Sequence, residues 1–172
     1  MLGYLKEYGL GRTLLGHFDV WLMNGGKVTK KQLAALPAAE REALITFVKA
    51  RPLYFRMQHG GQSILFVHAG VHPTREKQTS NDLLWIRDEF FERYRGAELV
   101  VVGHTPTQAI GGRDMSRNVP LFLSNNIIAC DTGSFLPGGR ISCVDVARYL
   151  TLRADGHRLS EEERLSCYMQ SA

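Results

Sequence analysis

A mixed α/β fold is what this sequence predicts, and three observations predict it. Two short apolar runs, "LFVHAG" at 65–70 and "VVVGH" at 100–104, each stop at a histidine followed by a turn. Continuous apolar runs of that length read as deeply buried strands. A long segment with helical spacing, "SNDLLWIRDEFFERYRG", lies between them, and the chain starts helical and finishes as a series of strand-like runs.

Taken in order, "MLGYLKEYG" places Leu2, Leu5 and Tyr8 on one helical face and closes on Gly9. Asn24-Gly25-Gly26 reads as a breaker. A helix follows in "LPAAEREALITFVKARP", with Pro37 at its start, Leu44, Phe47 and Val48 facing inward, and Pro52 as its stop. "LYFRMQHGGQSILFVHAG" predicts a β-hairpin turning at Gly60-Gly61, with Ile64–Val67 as its buried strand. The next helix takes Ser80 or Asn81 as N-cap and Gly96 as stop. Four further strands are expected in "ELVVVGH", "NIIACDTG", "RISCVDVA" and "YLTLRAD", with "LPGG" at 136–139 as a tight turn. These elements make one domain over 1–155. Residues 156–172 form a polar C-terminal tail expected to fray.

Composition narrows the function classes. The chain has 172 residues, 44% hydrophobic and 22% charged, which argues against disorder, and a formal charge of +4. Its basic residues are scattered, the longest run being Lys30-Lys31, so no nucleic-acid stripe is indicated. No apolar stretch is long enough to predict a membrane span. Cys130, Cys143 and Cys167 show no CxxC spacing; their odd number and the lack of a secretory leader suggest reduced thiols and a cytoplasmic location. Phosphate-loop, GxGxxG and GxSxG motifs are absent.

The chemistry centres on His68 and His104. Ligand-binding groups gather at the carboxyl ends of strands in open α/β sheets, and both histidines sit there. On neighbouring parallel strands, the two rings would enter one cavity, where neutral imidazoles can hold a metal. The bland alternative is a pair of core-edge histidines bonded to backbone carbonyls. Arg87 falls at helical spacing from Leu83, Leu84, Phe90 and Phe91, so its guanidinium must either snorkel to water or meet an anion. Asp131 in "CDTGSF" invites comparison with the catalytic carboxylate of an aspartic protease. Too few residues follow it for the strands that such a fold needs, and the helical first half would have no role. Asp131 reads better as a strand-end carboxylate that orients a ligand or a turn. His17, His59, His72 and His157 are expected to be solvated.

Together, "LFVHAGV", "LLWIRDEF", "VVVGHTP" and "ACDTGSF" resemble, in order and spacing, the second half of a calcineurin-like metallophosphoesterase. More narrowly, the chain resembles bacterial serine/threonine protein phosphatases of the phosphoprotein phosphatase family. The resemblance implies part of an α/β/β/α sandwich with mixed sheets and a two-metal centre. Manganese is the expected metal, with iron or zinc as alternatives. His68 and His104 would ligate one ion, Arg87 would bind substrate phosphate, and the substrate would be a phosphoprotein or a small phosphoester. A dinucleoside-polyphosphate hydrolase shares these motifs.

The family's GDxHG, GDxVDRG and GNHE motifs are absent, so the N-terminal half of the site is missing from this chain. A fragment, a misplaced start, a split gene product and a degenerate protein all fit, and a non-catalytic remnant or binding module stands beside the phosphatase. No catalytic residue is assigned. Strands such as Ile64–Val67 and Val100–Val102 are expected to lie partly uncovered and to promote self-association.

Overall fold

The computed structural model describes residues 21–171; the expected helix over 1–9 and His17 lie outside them. The chain divides into two compact units, Met1–Pro52 and Leu53–Ala172.

In the first unit, a π-helical turn (Leu22–Gly26) runs directly into α1 (Lys27–Ala35), and α2 (Ala38–Lys49) follows Pro37. The glycine pair therefore does not break the helix as expected. Gly26 is needed because a Cβ there would lie 2.5 Å from the Trp21 carbonyl oxygen. Leu33 and Ile45 form the buried centre, with Trp21, Leu36 and Leu44 against it. Phe47, expected to face inward, is 56% exposed. It lies off the buried stripe, and Arg51 one turn later covers its ring at 4.4 Å.

The second unit is built on a five-stranded sheet in the order β1-β2-β3-β5-β4. Its strands are β1 (Tyr54–His59), β2 (Gln62–Val67), β3 (Leu99–Val102), β4 (Leu121–Leu123) and β5 (Ile127–Ala129). β1 and β2 form the expected hairpin, and Gly60 and Gly61 take the positive φ values of its turn. β2 pairs with β3, and β3 with β5, in parallel; β4 returns antiparallel to β5. β4 was not foreseen. It joins β5 through Asn125-Asn126, where Asn126 adopts a φ of 61° and donates from Nδ2 to the Gly96 carbonyl at 3.0 Å.

Alternation along the parallel strands sends apolar side chains to both faces. Leu65, Val67, Val100, Val102, Ile127 and Ala129 pack with Leu83, Phe90, Phe91 and Tyr94. Ile64, Leu99, Val101 and Ile128 pack with Tyr149, Leu159 and Cys167 on the other side. The expectation that Ile64–Val67 and Val100–Val102 lie uncovered is thus corrected, since helices and the C-terminal segment cover the middle of the sheet. Exposed apolar side chains sit instead on the edge strand β1, where Phe55 is 60% exposed.

Two helices, α3 (Ser80–Trp85) and α4 (Asp88–Arg93), replace the single helix expected between the two histidine strands. The N-cap is Thr79, in a capping box with Asp82. A continuous helix would have the Leu83 carbonyl accept from Arg87 N–H; here it accepts from Ala69 N–H at 2.9 Å, and the helix stops. "YLTLRAD" is also corrected, because most of it belongs to α5 (Val146–Leu152), capped by the Asp145 side chain accepting from Arg148 N–H at 2.9 Å.

β6 (Ser142–Val144) forms as expected but pairs antiparallel with β7 (Tyr168–Gln170) in a second sheet. The segment from Gly156 does not fray. It carries α6 (Glu161–Leu165), with a Ser160–Glu163 capping box, and it buries Leu159 and Cys167 in the second core. Among the described residues, no helix is long and apolar enough to cross a membrane.

Candidate functional site

The parallel register aligns Val67, Val102 and Ala129 across β2, β3 and β5. His68 follows the first by one residue, while His104 and Asp131 follow the others by two. Three chemically active side chains thus emerge from one edge, at the carboxyl ends of adjacent parallel strands. The His68 carbonyl accepts from Gly103 N–H at 3.0 Å, and the Gly103 carbonyl accepts from Thr105 N–H at 2.7 Å. Between these bonds His104 adopts a φ of 63°, uncommon for a residue other than glycine.

This geometry brings His68 Nε2 and His104 Nδ1 to 3.0 Å, with ring centroids 4.8 Å apart. Burial pushes the His104 imidazole down to about 4, helped by Arg87 and His68 and opposed by Asp131. His68 is lowered in the same way, burial first, with Asp131 opposing and Arg87 assisting. Both rings are therefore neutral near pH 7, the form that donates a lone pair to a metal.

The separation tests the fit to an ion. Two nitrogens each about 2.1 Å from one ion stand about 3.0 Å apart at right angles, and about 3.4 Å apart at the tetrahedral angle. In the structure the two nitrogens share a hydrogen bond at this distance, one ring donating N–H and the other accepting, and the same spacing equals that of adjacent positions around an octahedral ion. His104 Nε2 is buried with no hydrogen-bond partner, so the outer acceptor that usually orients a ligating imidazole is not among the described residues. Nor does any group of three or more His, Cys, Asp or Glu side chains able to hold a metal occur among them. The pair fits two ligand positions of one ion and not a complete dinuclear centre.

Arg87 reaches this edge by a different route from the one its helical spacing suggested. It caps α4 at the break, with φ −132° and ψ −114°, so it shares no continuous apolar face. Its Nη1 donates to Thr105 Oγ1 at 3.2 Å and to the His104 carbonyl at 3.4 Å. The side chain is exposed, and its other N–H groups have no protein acceptor among the described residues. Asp131 is half-buried; its Oδ1 accepts from Gly133 N–H at 3.0 Å, and its carbonyl accepts from Thr107 N–H at 2.8 Å. It shapes the turn, and its charge reaches both imidazoles without a hydrogen bond to either.

Sequence reasoning did not single out Trp85 or Thr105. The Trp85 ring stands edge-on to His104 at 5.6 Å and is 55% exposed, while Thr105 is buried beneath Arg87. A tryptophan two residues before the arginine in "LLWIR" was the available signal. Of the remaining histidines, His59 is exposed at the hairpin turn. His157, also exposed, is bonded to Glu163 at 3.0 Å. His72 is half-buried rather than solvated, because Gln78 Oε1 accepts from its N–H at 2.6 Å and holds the loop inward. Comparison of the chain with models of known protein families and with curated proteins returns no match.

Proposed function

We propose that this chain is the C-terminal part of a metal-dependent phosphoester hydrolase of the serine/threonine protein phosphatase type. The observation that carries the reading is the nitrogen pair of His68 and His104, 3.0 Å apart at adjacent parallel strand ends, with Arg87 anchored beside it. In this reading the five-stranded sheet is one layer of an α/β/β/α sandwich, and the substrate is a phosphoprotein or small phosphoester. Two divalent ions, manganese first, with iron or zinc as alternatives, would supply an activated water and polarise the phosphoryl oxygens. His68 Nε2 and His104 Nδ1 would hold one ion. The free fork of Arg87 would orient phosphate oxygens, and Asp131 would fix the turn and add negative potential. The anionic ligands that hold two dications together must come from outside the described residues. The free thiols of Cys130, Cys143 and Cys167 suit a cytoplasmic location, and the exposed edge of β1 suits self-association.

The test compares hydrolysis of an aryl phosphate in Mn²⁺ by the chain alone, and by the chain joined to a segment bearing GDxHG, GDxVDRG and GNHE. The chain alone should turn over no faster than its His68→Ala His104→Ala variant. The joined protein should be active, and the double substitution should abolish that activity. A folded joined protein that stays inactive would sink the proposal, and metal-dependent turnover by the chain alone would show that unrecognised residues complete the site. A non-catalytic binding module is the second reading, favoured because the described residues cluster two ligands and no more.

A further inference from the structure

We infer that the cavity beside β4, at the opposite end of the sheet from the histidines, binds an organic phosphate of the nucleotide class. Leu123 pairs with Ile127, and Ile127 lies one register position from Asn126, at the amino ends of the parallel strands. His104 and Asp131 follow the carboxyl ends, so this cavity is separate from the candidate site. Its volume is about 540 Å³, inside the range of roughly 300–1,000 Å³ typical of small-molecule pockets.

Its lining joins two chemistries. Arg153, Arg158 and Arg164 contribute three guanidinium groups, and no carboxylate lines the cavity among the described residues. None of the three has an ion-pair partner among the described residues, whereas Arg56, Arg75 and Arg93 elsewhere are each bonded to a carboxylate. Arg153 is already positioned, since its Nη1 donates to Tyr149 Oη at 3.1 Å. The nearby acid Glu163 is committed to Ser160 N–H at 2.7 Å and His157 at 3.0 Å. Three like charges around one cavity repel unless an anion joins them, and planar guanidinium groups match phosphate oxygens in pairs.

The other part of the lining is apolar, and Phe122 is its partly open aromatic member, since Tyr149 and Leu159 are buried. The half-buried Phe122 ring stacks on Tyr149 with centroids 5.1 Å apart and planes at 25°, with Leu159 beside them. A base could rest against the exposed part of Phe122, which Tyr149 backs, while its phosphates meet the arginines. An inorganic anion would use only half of the surface.

Calorimetry of the full chain with ADP, AMP, adenosine and inorganic phosphate, in chelator to strip metal, tests the assignment. ADP should bind more tightly than phosphate or adenosine. Arg158→Ala and Arg164→Ala should each weaken it about tenfold, with partial recovery in the lysine variants. Circular dichroism on the same samples confirms their fold, and the His68→Ala His104→Ala variant should bind ADP as the parent does. Absent ADP binding at millimolar concentration would overturn the inference, as would binding untouched by the arginine substitutions. Phosphate binding as tight as ADP would reduce the cavity to an anion site and overturn the nucleotide assignment. Loss of ADP binding in the histidine variant would place the ligand at the other end of the sheet and refute it.

Discussion

Replacing Asp82 with asparagine probes the segment that positions the site. Asp82 is 5% exposed and sits in the first turn of α3, whose Leu83 carbonyl is bonded to Ala69 beside His68. Burial alone would raise its carboxyl. Hydrogen bonds from Arg75 and from Thr79 outweigh that and hold it at about 2, against an ordinary 3.8. Thr79 N–H and Oγ1–H each donate to Asp82 Oδ2 at 2.7 Å. At about 1.4 kcal/mol per pH unit, that difference amounts to about 2–3 kcal/mol of stability. Deleting one partner of a fully buried ion pair costs more, about 3–5 kcal/mol. The smaller figure applies because the Arg75 side chain is 43% exposed and regains water when the pair is broken. The folded value lies below the unfolded one. The contribution is therefore complete above about pH 4 and is lost as the pH falls through about 2. Urea unfolding followed by circular dichroism should show Asp82→Asn destabilised by about 2–3 kcal/mol at pH 7. Its stability should also change less than the parent's between pH 4 and 2. An unchanged midpoint at pH 7, or an identical acid limb, would refute the reasoning.

Phe90→Ala should cost about 3–5 kcal/mol in the same assay, since the ring is fully buried and packs on Phe91 at 5.2 Å and Tyr94 at 5.4 Å. Gly139→Ala should disturb the loop carrying Asp131, because its Cβ would fall 1.7 Å from the Gly133 carbonyl oxygen; nuclear magnetic resonance shifts of Gly133 and His104 would report it. Ser160→Ala should cost about 1 kcal/mol by removing the cap of α6. Deleting 156–172 should lower the melting temperature sharply by uncovering the second core, and an unchanged melting curve would contradict the packing of Leu159 and Cys167.

The paired histidines were legible because the signal is local: an apolar run, then an imidazole at its end. Their parallel adjacency agrees with the long helical segment between the strands, the usual form of a parallel crossover. The break before Arg87 was not legible. It depends on Ala69 N–H competing for the Leu83 carbonyl, a contact between residues far apart in sequence. Arg87 came to the expected place for a reason its spacing did not contain. Two misreadings had local remedies, as Asp145 before "VARYL" and Ser160 with Glu163 in "SEEERL" are helix-start patterns. The strand-like spacing of "YLTL" and the polarity of the tail masked them. The short β4 offered too little periodicity to register.

The left-handed backbone at His104 sets stability against use. A residue bearing a Cβ gives up about 1 kcal/mol or more there relative to glycine. Heat-resistance screening blind to ligand binding would draw position 104 toward glycine or asparagine, relaxing the chain and deleting the imidazole in one step. The sturdiest version of this loop and the version that keeps the imidazole are different molecules. Stabilising the scaffold for study therefore means fixing residue 104 and seeking improvements elsewhere.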